Sequence, residues 1–139
     1  GLKVLEFNAR FGDPETQVIL PRLETDLVEI MFAVCAGKLH QIKINWNNQS
    51  CVGVVVAADN YPVGSSKGVP ISGLDQLDPN ILVFHDGTKI ANGRLVTDGG
   101  RILTVVAKAD TLPLAREMVY KNLPRIHCEG TSYRTDIGS

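Results

Sequence analysis

The 139-residue sequence has almost no charge bias: 14 Lys and Arg stand against 15 Asp and Glu, a net charge of −1. That gives no electrostatic case for a nucleic-acid or membrane surface. No apolar run reaches the roughly 20 residues that cross a bilayer, and no secretory leader opens the chain. Cysteine is scarce and unpatterned. Cys35, Cys51 and Cys128 are odd in number, far apart and without C-x-x-C spacing, which predicts reduced thiols in a cytoplasmic protein rather than a disulfide frame or zinc site. His40, His85 and His127 lack partners at metal-ligand spacing and read as surface or core residues. Gly64-Ser65-Ser66-Lys67-Gly68 has small residues and a lysine, but the P-loop spacing is missing and the segment reads as a connecting loop. No spacing supports a Ser-His-Asp or Cys-His arrangement. Repeats and low-complexity tracts are absent. What remains is ordinary globular composition, 44% hydrophobic and 21% charged, enough for one domain or pieces of two. The chain begins with Gly and enters a strand pattern at once, which reads as a piece of something longer.

That opening pattern carries the chemistry. Val4 to Phe7 mixes β-branched and apolar residues, as a strand does. Period-2 alternation puts Glu6, Asn8 and Arg10 on one face and Leu5 and Phe7 on the other. A carboxylate, an amide oxygen and a guanidinium in a row fit a metal held against phosphates: Glu6 and Asn8 as hard oxygen ligands, Arg10 as a planar fork for an anion. A solvated strand face fits the same pattern. Gly12-Asp13-Pro14-Glu15 then turns the chain into a helix to about Leu20, with Asp13 either as N-cap or facing a ligand.

A second helix is predicted from Asp26 to about Ala36, with Thr25 as N-cap, Gly37 as stop, and Leu27, Ile30, Met31 and Val34 as a packing stripe. Beyond Lys38 the chain turns strand-rich. Ile42 to Trp46 alternates weakly, and Ser50 to Ala58 reads as a buried strand. Short strands follow at Val69 to Ile71, Ile81 to His85, Thr88 to Ile90 and Leu95 to Thr97, the last two joined by an Asn92-Gly93 hairpin. Arg101 to Lys108 is a second buried strand. A helix from Leu112 to about Leu123 buries Leu114, Ala115, Met118 and Val119. Tyr133 to Ile137 reads as a final strand, with Tyr133-Arg134 holding it in place. Successive strands on short turns predict an antiparallel sheet with one helix against it. Gly99-Gly100-Arg101 fits a tight turn with a solvated arginine, and equally a close backbone approach with Arg101 at the mouth of a strand.

The wording of these segments resembles one family. Glu6-Phe7-Asn8-Ala9-Arg10-Phe11-Gly12-Asp13-Pro14-Glu15-Thr16-Gln17 is similar to a signature of the phosphoribosylamine–glycine ligases (glycinamide ribonucleotide synthetases), ATP-grasp enzymes of purine synthesis. Five further segments resemble their carboxy-terminal domain in order: Val54 to Pro62, Lys67 to Gly73, Val83 to Thr88, Gly99 to Ala107 and Tyr133 to Gly138. The resemblance implies an α+β fold: the end of an ATP-grasp lobe (strand plus helices) over 1–37, then a mainly antiparallel β domain with one packed helix over 38–139. It implies Mg²⁺ or Mn²⁺ held by Glu6 and Asn8 against ATP, with Arg10 steadying the transferring phosphoryl or the glycine carboxylate. Asp13, Gly100 and Arg101 are expected to contact the ribotide, 5-phosphoribosylamine. The family's amino-terminal and central domains lie outside the sequence, so the chain alone is expected to be inactive. The competing expectations are a non-catalytic β-rich packing module and another ATP-grasp carboxylate–amine ligase.

Overall fold

The computed structural model describes every residue except Glu6. Among the described residues, seven strands form two antiparallel sheets. The larger has the order β3 (Ile81–His85), β6 (Arg101–Ala109), β1 (Ser50–Ala58), β7 (Thr131–Ser132), and the smaller has the order β2 (Ser66–Pro70), β5 (Arg94–Gly99), β4 (Thr88–Ala91). The expected fold class is present: antiparallel strands with helix α3 (Leu112–Asn122) laid on one face. β1 and β6 are the centre, paired from Ser50↔Ala109 to Val56↔Leu103. Their inward residues Val52, Val54, Val56, Leu103 and Val105 meet Ala115, Val119 and Leu123 in one core. Strands buried on both faces read as near-continuous apolar runs, and these do. Asn92 and Gly93 both have positive φ, 51° and 74°, as the tight β4–β5 hairpin requires.

The other face of the larger sheet carries α1 (Thr16–Ile19). Gly53 permits it: a Cβ there would lie 2.8 Å from Val18 Cγ1. Lys108 Nζ donates to the carbonyl of Pro21 at 2.9 Å, fixing the chain just after α1. Helix α2 (Leu27–Cys35) follows and ends at Gly37, φ 66°, the left-handed stop expected there.

Several local expectations are corrected. No strand is formed by the described residues of Val4 to Phe7, and Leu5 and Phe7 are both exposed. A strand needs a hydrogen-bonded neighbour, and neither sheet includes this segment. Asp26, not Thr25, caps α2, accepting from Val28 N at 2.7 Å. Thr25 instead accepts from Asn45 N at 2.8 Å, tying the α2 entry to 45–47. Ile42 to Trp46 contributes one bridge, Leu23 to Trp46, rather than a strand. On α2 only Ala33 is buried, whereas Met31 and Val34 of the predicted stripe are exposed. On α3 Leu114 is exposed and Asn122 takes the inner position. The last strand covers only Thr131 and Ser132, because Tyr133 to Ile137 is held by side chains of α3 instead.

Candidate functional site

A β-bulge decides where Arg101 points. Val56 pairs with Leu103 but Ala57 pairs with Arg101, so β6 carries one extra residue, Ile102, at that step. Strict alternation would set Arg101 on the core face with Leu103 and Val105. The bulge sends Ile102 into the core and turns Arg101 to the opposite face, beside Ala57. Bulges re-aim side chains in this way at sheet edges and sites.

There Arg101 meets the start of the chain. Its Nη1 donates to the carbonyl oxygen of Asp13 at 2.9 Å, across 88 residues, and lies 3.7 Å from the Asp13 carboxylate. The Tyr61 ring lies 5.9 Å from the guanidinium carbon, within cation–π reach. Gly100 makes room for that ring: a Cβ on it would lie 2.7 Å from Tyr61 Cδ2 and 3.3 Å from the carbonyl oxygen of Gly64.

Asp13 does not cap α1. The Thr16 amide and hydroxyl both use the carbonyl of Gly12, and the Asp13 carboxylate accepts from Gln17 Nε2 at 2.8 Å. Gln17 Nε2 also reaches Asp86 at 3.3 Å, and Asp86 accepts from the Thr104 hydroxyl at 2.8 Å. A relay therefore runs from β6 through the β3–β4 turn and α1 to Asp13, and back to Arg101. Sequence reasoning missed Gln17, Asp86 and Tyr61 as site residues. All three stand within the family-like segments, and only the sheet register shows that they converge.

Beside Arg101 opens a cavity of about 490 Å³, floored by Val55 and Ala57 of β1 and walled by Pro14, Tyr61, Tyr133 and Arg134. Helix α3 fixes the Tyr133 wall. Arg116 donates to the carbonyls of Ile137 and Thr135 at 3.1 and 2.9 Å. Tyr120 Oη donates to the carbonyl of Arg134 at 2.8 Å and accepts from Ile137 N at 3.1 Å. Of the remaining site candidates, Asn8 and Arg10 are exposed, and Arg10 Nη1 donates to the neighbouring Phe11 carbonyl at 3.1 Å. Glu6 lies outside the described residues. A second cavity, about 440 Å³, touches Arg22, Trp46 and Cys51. Burial pushes the Cys51 thiol up, against Lys108 and Arg22, which disfavours the reactive thiolate.

The model of the family described as phosphoribosylglycinamide synthetase, C domain, matches residues 51–139. The chain belongs to this family. A phosphoribosylamine–glycine ligase of Halalkalibacterium halodurans is 50% identical over the whole chain, and one of Caldanaerobacter subterraneus is 46% identical; the chain covers 32% and 33% of them. The solved phosphoribosylamine–glycine ligase of Thermotoga maritima is 33% identical, with a TM-score of 0.74 over 96% of this chain and 32% of that one. The chain thus spans about a third of the length of these relatives. The matched C domain begins one residue into β1, where the buried core also begins; among the described residues, Ala33 is the only buried apolar residue before it.

Proposed function

We propose that the chain is the carboxy-terminal part of an ATP-dependent ligase that joins glycine to 5-phosphoribosylamine, giving glycinamide ribonucleotide, ADP and phosphate. The observation that carries this reading is the junction of Arg101 with Asp13. It brings the end of the Glu6 to Asp13 stretch to the rim of a cavity large enough for a sugar phosphate. Membership of the synthetase C-domain family supports it.

In this reaction ATP phosphorylates the glycine carboxylate, and the amine of phosphoribosylamine then displaces phosphate from the acyl phosphate. The protein's share is positioning and charge neutralisation. Glu6 and Asn8 offer one carboxylate and one amide oxygen. That donor set fits Mg²⁺ or Mn²⁺, hard ions that complete their shells with water and phosphate oxygens. Such an ion neutralises charge on the phosphates when bound. Arg10 steadies the transferring phosphoryl or the glycine carboxylate. Arg101, set by the bulge and by Asp13, faces the ribotide, and Gly100 lets the Tyr61 ring close over that end of the cavity.

We assign 1–37 to the end of an ATP-grasp domain and 38–139 to the β-rich domain. The exposed Leu5, Phe7, Val28, Met31, Phe32 and Val34, all within 1–37, support this division, since large apolar side chains in such number suit a covered surface. Amino-terminal and central domains of the same protein would supply that cover and the nucleotide pocket. A cytoplasmic location agrees with three free thiols, and among the described residues no helix is long and apolar enough to cross a membrane.

The test is Glu6→Gln in a ligase of full family length carrying this sequence. The amide is isosteric but uncharged, so turnover is expected to vanish with the thermal midpoint unchanged. Near-normal turnover at saturating Mg²⁺ would remove Glu6 from the metal site.

A further inference from the structure

The second wall of the cavity carries another guanidinium. Arg134 lines the same cavity as Arg101, from the segment that follows β7. From sequence, Tyr133-Arg134 is expected to fasten the last strand. Tyr133 does part of this, packed against the core and the Tyr120 ring, while Arg116 and Tyr120 of α3 hold backbone carbonyls of 134–137. The Arg134 guanidinium itself pairs within the tail, with Asp136. It is exposed, 73%, and its neighbour Asp136 holds it two-pronged: Nε to Oδ1 at 2.9 Å and Nη2 to Oδ2 at 2.6 Å. A bidentate carboxylate fixes the plane of a guanidinium and leaves Nη1 to donate elsewhere. Arg101 is held through a single nitrogen, Nη1, which donates to the Asp13 carbonyl at 2.9 Å with the Asp13 carboxylate 3.7 Å away.

Two oriented guanidiniums on one cavity match a dianion rather than a single carboxylate. The rest of the lining suits a sugar: the Tyr61 and Tyr133 rings and the apolar strand face of Val55 and Ala57 for the ring, and the Asp59 carboxylate as an acceptor for hydroxyls. We propose that Arg134 is a second anion anchor of this cavity, sharing with Arg101 the phosphate of a pentose 5-phosphate amine. The inference rests on the ligase reading above and deepens it. Asp136 is then a positioning residue, acting through Arg134.

The experiment is steady-state kinetics on the full-length ligase, with ribose 5-phosphate as a competitive probe and ribose as its phosphate-free control. Arg134→Ala is expected to raise KM for phosphoribosylamine about tenfold or more, near the lower end of what a hydrogen bond to a charged group contributes. The inhibition constant of ribose 5-phosphate should rise by the same factor, while kcat and the KM values for ATP and glycine hold within about twofold. Arg134→Lys should recover part of the loss, since the charge returns without the fork. Ribose should inhibit neither enzyme appreciably. Equal shifts in all three KM values would make Arg134 structural and overturn the inference. So would an unchanged KM and inhibition constant in Arg134→Ala when Arg101→Ala raises both; the ligase reading would then stand with Arg101 as sole anchor. If neither variant moves either constant, the ribotide assignment of this cavity falls as well.

Discussion

Tyr120→Phe removes one oxygen atom and tests how the tail is held. The ring survives, so its packing on Tyr133, centroids 6.4 Å apart, and its stacking under Arg116, 4.8 Å from the guanidinium carbon, should persist. What goes is a pair of hydrogen bonds, to the Arg134 carbonyl at 2.8 Å and from the Ile137 amide at 3.1 Å. A neutral hydrogen bond contributes about 0.5–1.5 kcal/mol net. The Arg134 end is exposed, so water replaces most of it; the Ile137 end is half-buried and loses more. The sum is about 1–2 kcal/mol, felt only by the tail. In hydrogen exchange of the full-length protein, protection of the Ile137 amide should then fall about 5- to 30-fold, while core amides such as Val105 keep theirs. Unchanged exchange at Ile137 would refute the assignment of the hydroxyl as its acceptor. A parallel fall at Val105 would show that the loss is global and that the tail is no separate unit.

Asn122→Ala should be the more damaging change on α3, although Asn122 reads as an ordinary helix-end residue: fully buried, it accepts from Asp78 N at 2.9 Å and donates to Asp78 Oδ2 and the Met118 carbonyl. Stranding those partners costs about 2–4 kcal/mol, read as a lower urea midpoint at constant m-value. The Arg125 guanidinium first, then the Asn122 amide, holds the Asp78 carboxyl below the ordinary range. A carboxyl depressed in the folded state stabilises fully above its unfolded value, about 3.9, and that contribution is lost as pH falls through the folded value. Stability should therefore fall below about pH 4, and Asp78→Asn should make that acid limb shallower; an identical limb in the variant would exclude Asp78 as a contributor. Asp136, depressed by Arg134, works in the same window, so the limb should not vanish.

β1 and β3 run as the sequence suggested, because a strand's own apolar content settles its burial when it packs into a sheet. The Asn-Gly hairpin was equally legible, since positive φ at two successive residues is a local demand. The bulge at Ile102 was not. Nothing local distinguishes Arg101-Ile102-Leu103 from regular alternation, and only pairing with β1 reveals the extra residue. Asp13 shows the same limit. Its sequence setting allowed a cap, and the competing Gly12 carbonyl became visible only with the backbone in place. The described residues of Val4 to Phe7 depart for another reason. Their pattern suits a strand, but strands are specified by partners, and neither sheet takes the segment in.

The two walls of the cavity are secured by different means, and this bears on which of them can move. Arg101 stands at the end of β6, whose residues Ile102 to Ala107 are all buried and which pairs with β1 on one side and β3 on the other. To displace Arg101 the bulge must shift, and Ile102 must leave the core with it. The Arg134 wall has no such anchorage. Beyond the two residues of β7 it rests on the partly buried Tyr133 and Ile137, packed against the core, and on Arg116 and Tyr120, which hold its backbone carbonyls. Opening the tail therefore costs a few hydrogen bonds and the packing of Tyr133 and Ile137, whereas opening the Arg101 wall costs the central strand pair. The same contrast separates Asp13 from Asp136 as partners. Asp13 is bound into the relay through Gln17 and Asp86, while Asp136 rides on the tail with the arginine it orients. The Arg101 side of the cavity is therefore the firmer of the two, and hydrogen exchange should find the amides of 133–137 less protected than those of β6.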